Sequence, residues 1–155
     1  MKKLIIIFIL IFPFKLYPQN WTDEEKAIIN VLNEEGAAFA ALDLDRLAAI
    51  HLQDESVARL NLNRDKVYSG WDEIKAHFEE MMEELKNGAF KNAKNSKENV
   101  VINVTGKTAW VVCDNIWKWE SDGEPQLMGN KEIAFLKKDH GKWKFSFYTF
   151  VAKPG

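Results

Sequence analysis

Two groups of residues have the types and spacing for proton chemistry. Asp114 shares one side of an alternating stretch with Trp110, Val112 and Ile116, while Ala109, Val111, Cys113, Asn115 and Trp117 share the other. A carboxylate in such apolar company is poorly solvated, which raises its pKa and suits it to act as a general acid or base. The plainer alternative is an ion pair with Arg59 or Lys131. His51 and Asp54 stand one helical turn apart, so the carboxylate could orient the imidazole for proton transfer, or the pair could simply finish a helix end. Asp114 and His51 are therefore the candidate catalytic residues.

Other chemistries lack their residues. The three histidines, His51, His77 and His140, have no metal-binding spacing, and no metal or other cofactor is expected. His77 lies beside the Ile74, Phe78 and Met81 stripe and is expected to be a core histidine. Cys113 is the single cysteine, with no local histidine or helix start to activate it, so it reads as a small buried hydrophobe. There is no glycine-rich phosphate loop and no nucleophile elbow. What stands out is aromatic surface: 12% of residues are Phe, Trp or Tyr. Cores use much of this. The remainder, with Trp71, Trp110, Trp117, Tyr148 and Phe150 beside Arg59, has the composition of a pocket for a flat or apolar small molecule.

The chain of 155 residues suits one globular domain after a leader. Residues 1–19 carry Lys2 and Lys3, an unbroken apolar run from Leu4 to Phe12, and then Pro13: the form of a cleaved export signal, too short for a membrane span. Residues 20–155 would form the mature domain, periplasmic or secreted, with no membrane attachment. Losing three lysines makes an already negative chain, −2 overall, more acidic, which offers no footprint for nucleic acid. Lys86 to Lys97 is expected to be a solvated loop.

The elements that must position these groups follow a helices-then-strands order. Thr22 and Glu25 form a capping box before a helix whose stripe is Ile28, Val31, Leu32, Phe39 and Leu42, with Glu34 and Glu35 off the stripe. Asp43 or Asp45 caps a second helix through Ile50. Strands are expected at Ser56 to Leu60 and at Val67 and Tyr68. A third helix, capped by Ser69, carries Ile74, Phe78, Met81, Met82 and Leu85 and stops at Gly88. Four strands follow, Asn99 to Thr105, Thr108 to Glu120, Lys131 to Lys138 and Lys142 to Val151, joined by short turns as an antiparallel meander. On the last, period two places Trp143, Phe145 and Phe147 on one face and Ser146, Tyr148 and Phe150 on the other, one lining a pocket and one making a dimer contact.

The stretches Phe39 to Asp54, Ser69 to Phe78, Gly106 to Val112 and Asp139 to Phe145, taken in order, resemble the SnoaL-like branch of the nuclear transport factor 2-like superfamily. The resemblance implies an α+β fold, cone-shaped, with three N-terminal helices packed on a curved antiparallel sheet around a pocket, and a homodimer through the sheet's outer face. Its members include isomerases, cyclases, dehydratases and proteins with no chemistry, so fold does not give activity. In steroid-isomerase-like members two aspartates act; by spacing, those positions here hold residues around Arg59 and Ile133, and neither type can do that work. Two functions therefore stand: binding of a small, largely apolar molecule, or an isomerase, cyclase or dehydratase working through a pocket carboxylate or histidine. An assembly module using the sheet face is the third.

Overall fold

The computed structural model describes residues 20–86 and 90–152. The expected export signal in residues 1–19 and the Gly88 helix stop lie outside them. The element order is α1 (Asp23–Ala40), α2 (Leu44–Ala49), β1 (Ala58–Asn61), β2 (Lys66–Ser69), α3 (Trp71–Lys86), β3 (Lys91–Thr105), β4 (Thr108–Ser121), β5 (Glu124–Asp139) and β6 (Lys142–Ala152). The helix starts follow from their caps. Thr22 and Glu25 form the full capping box of α1, and the Asp43 carboxylate accepts from the Arg46 N–H at 3.0 Å. The third cap differs from expectation. Because α3 begins at Trp71, the preceding residue is Gly70 with φ +82°, and the Ser69 N–H instead donates to Glu73.

The six strands form one curved sheet in the order β2-β1-β6-β5-β4-β3. It is mixed rather than wholly antiparallel, since β1 runs parallel to β6, with Arg59 opposite Tyr148. Two strands start earlier than the sequence pattern indicates. β3 takes in the lysine and asparagine run from Lys91, and β5 begins at Glu124, because long paired neighbours satisfy backbone groups that composition alone assigns to loops.

Two bulges set which side chains face inward. On β6, Phe147 pairs with Phe135 and Phe145 with Leu136, so Ser146 is the extra residue, its hydroxyl donating to the Phe135 carbonyl at 3.1 Å. Strict alternation would put Phe145 and Tyr148 on opposite faces; the bulge turns both into the core. On β3 the shift between Glu98 and Val101 does the same, so that Asn95 and Lys97 before it and Val100, Ile102 and Val104 after it are the less exposed residues. The core joins Ile28 and Leu32 of α1, Leu47 of α2 and Ile74 and Phe78 of α3 to Val111, Ala134, Phe145 and Tyr148 of the sheet. Gly36 lets α1 approach β3: a Cβ there would stand 2.3 Å from Asn95 Oδ1.

Candidate functional site

Between the helices and the far end of the sheet lies a cavity of about 610 Å³. This is within the roughly 300–1,000 Å³ of small-molecule sites. Its wall is mainly rings: Phe39 of α1, Phe78 of α3, Phe90, Trp117 and Trp119 of β4, and Phe150 of β6. Phe39, Phe90 and Trp117 pack edge to face or tilted, with centroids 5.3 to 6.4 Å apart. Alternation along β4 supplies Asn115, Trp117 and Trp119 from a single face.

The polar part of the wall comes from two arrangements. Arg59, 6% exposed, enters from β1, where pairing with β6 holds it over the Tyr148 ring at 5.2 Å; Phe78 and Phe150 lie at 5.3 and 5.8 Å. Its Nη1 donates to Met81 Sδ at 3.6 Å and its Nε meets no acceptor. Among the described residues it makes no ion pair.

The second arrangement is a buried ion cluster. Lys97 Nζ reaches Glu35 at 2.9 Å, Glu132 at 2.5 Å and Asn115 Oδ1 at 2.9 Å. Asn115 in turn accepts from Asn95 and donates to Asn130. Burial alone would lower the Lys97 ammonium, but Glu132 and Glu35 outweigh it and hold the pKa above its ordinary value. Burial pushes the Glu132 carboxyl up against the pull of Lys97. Glu35 and Asn115 line the cavity. Cys113 lies next to Glu132, its thiol pushed up to about 12 by burial, which removes it as a nucleophile near neutral pH.

The residues singled out from sequence divide among three places. Arg59, Trp117 and Phe150 line the cavity, and Tyr148 forms the floor under Arg59. His51 and Trp71 lie in the core. The imidazole is fully buried, stacked between Trp71 and Phe145 with centroids 5.7 and 5.1 Å away, and its Nδ1 donates to the Leu47 carbonyl at 2.7 Å. Burial lowers its pKa to about 4. Asp54 is not its partner, since that carboxylate accepts from the Ser56 N–H and hydroxyl. Asp114 and Trp110 are on the opposite sheet face from Asn115 and Trp117. Asp114 is paired with Lys131 at 2.7 Å and accepts from Asn99 at 2.7 Å, and Trp110 is 40% exposed. His77 is a core histidine, stacked on Tyr68 at 4.2 Å.

Sequence reasoning missed Glu35, Lys97, Asn115 and Glu132. Glu35 had a visible signal, since it falls three after Leu32 and four before Phe39 on the α1 stripe. Lys97 had none, because its direction depends on how β3 pairs. Among the described residues no three His, Cys, Asp or Glu side chains gather in a way that could hold a metal ion, and no helix is long and apolar enough to cross a membrane.

Solved structures share this architecture at low identity, which speaks to fold alone. A nuclear transport factor 2-like protein with a cystatin-like fold from Novosphingobium aromaticivorans superposes with a TM-score of 0.70 at 13% identity, over 84% of this chain and 82% of its own. A second protein of that organism, provisionally described as a scytalone dehydratase, gives 0.70 at 17% identity over 84% and 85%. The S. rosetta CaMKII hub gives 0.65 at 19% identity over 83% and 95%. No curated protein matches the sequence. The family model of the SnoaL-like domain matches residues 22–149, spanning every helix and all but the end of the last strand, and the chain therefore belongs to the SnoaL-like family.

Proposed function

We propose that this SnoaL-like domain is exported and binds one small, largely apolar molecule in the ring-lined cavity. The observation that carries this reading is the cavity itself: about 610 Å³ walled by six aromatic rings, with a few polar groups at fixed places. Aromatic side chains that merely filled a core would close on one another. Naphthalene-based probes test it. They should raise the melting temperature in proportion to the logarithm of their concentration above Kd, and Met128→Trp, which places a large ring at a half-exposed position of the wall, should abolish the gain. Failure of every such probe to stabilise the protein would end this reading. Export is tested by whether the mature chain recovered from the cell envelope or medium begins near residue 20.

A second reading is favoured by Glu35, the acidic residue of the wall. With one carboxylate oxygen held by Lys97, its other oxygen could carry a proton in an isomerase, a cyclase or a dehydratase, the last being the activity provisionally given to one protein of this fold. Tetralone in D2O would report it by NMR as loss of its α-protons. Exchange retained in Glu35→Gln would remove Glu35 from that role.

The outer sheet face carries a row of Trp110, Phe135 and Phe147, with Val101 in the next row. We infer that it pairs with a second copy of the chain.

A further inference from the structure

The cavity wall holds one basic residue and one acidic residue, and their situations differ. Glu35 is committed, because its carboxylate accepts from Lys97, which is itself shared with Glu132. Arg59 is not. Its guanidinium is buried among three ring faces, and its polar neighbours among the described residues are the Met81 thioether, a weak acceptor, and the neutral Tyr148 hydroxyl. Its Nε has no acceptor among the described residues.

Ring faces attract a cation but cannot accept its in-plane N–H groups, and those groups are what desolvation leaves unpaired. A purely structural role would be filled better by an apolar side chain of similar size. The missing component is an acceptor with two oxygens in the guanidinium plane, which is the geometry of a carboxylate. A phosphate monoester would bring a second negative charge, and Lys97, the cation of the buried cluster, already has two carboxylates.

We propose that the cavity takes an amphipathic organic acid, with one carboxylate set in the plane of the Arg59 guanidinium and a flat apolar body lying among Phe39, Phe90, Trp117 and Phe150. Asn61, Asn115 and Asn130 are left for polar substituents on that body. This rests on the cavity-binding reading and narrows it to a chemical class.

Three probes of one shape and different charge test it by calorimetry: naphthylacetate, naphthylacetamide and naphthylethylammonium. The carboxylate should bind about tenfold or more tighter than the amide, and the ammonium weakest, as expected for a charge-assisted fork. In Arg59→Met the carboxylate should fall to the level of the amide, while the amide changes by less than about threefold. Arg59→Lys, which keeps the charge without the fork, should recover only part of the preference. Equal binding of carboxylate and amide by the wild-type protein, or a preference that survives Arg59→Met, overturns the assignment and leaves the cavity reading standing. Binding by none of the three overturns both.

Discussion

At the scale of single residues, burial decides what each titratable group can do. His51 is the clearest case, since its Nε2 meets no partner and its Nδ1 already donates to Leu47. Its imidazole takes a proton near pH 6.5 in the unfolded chain and near 4 in the folded one. Between those values the unfolded state binds more protons, so folding weakens as pH falls; the contribution is whole above 6.5 and lost by about 4. At about 1.4 kcal/mol per unit, the loss is on the order of 3 kcal/mol. Urea unfolding at neutral pH and near pH 4.5 should show this slope, and His51→Gln should flatten it; an unchanged slope would mean that other groups set the acid response. Lys97 has the opposite character, being charged and held by charge. Lys97→Met would leave Glu35 and Glu132 without their counter-ion, a loss of roughly 3–5 kcal/mol. Adding Glu132→Leu should return much of it, with both variants read by the same denaturation experiment. A Lys97→Met protein as stable as wild type would show that the cluster contributes nothing.

At the scale of elements, close approach and bulges govern what the site contains. Gly36 sits inside α1, where Gly→Ala ordinarily stabilises by about 1 kcal/mol. Here the sign should reverse, because the new methyl would meet Asn95 Cβ at 2.6 Å as well as its amide oxygen. Gly36→Ala is expected to cost about 1–3 kcal/mol, and a rise in melting temperature would show that α1 can lift from β3 freely. The elements themselves were legible: the capping box at Thr22, the Asp43 cap, the three helical stripes and most of the four long strands follow from patterns in the chain. Their facing was legible only between bulges. Period two gives Trp117 and Asn115 a common side correctly, yet it separates Phe145 from Tyr148, because nothing in Phe-Ser-Phe-Tyr marks Ser146 as the extra residue. The same limit hid Lys97, which a solvated-loop composition surrounds and a β-bulge three residues on accommodates. Asp114 was conspicuous for its apolar neighbours on the strand, but those neighbours belong to the outer face, where Lys131 and Asn99 reach it.

For the whole molecule, the proposals give the two faces of the sheet separate uses, an inner wall for a guest and an outer row for a copy. Trp110, Phe135 and Val101 are 40%, 48% and 52% exposed, an apolar group larger than scattered surface residues account for. Trp110→Lys should convert a dimer to a monomer in sedimentation velocity without changing probe affinity in the cavity, and a wild-type monomer at all concentrations would refute the pairing. The family was legible from four short stretches in order, whereas the proposed acid was not, because Arg59 becomes informative only once the lack of an acid partner among the described residues is visible. The parallel pairing of Arg59 with Tyr148 has a bearing on assembly. The hairpin that delivers the guanidinium has no strand to dock on until β6 has been synthesised, so the proposed acid site would form only after β6 is in place. A chain ending before Lys142 would retain the β3 to β5 strands and lack the β6 support for Arg59 that the proposed acid site requires.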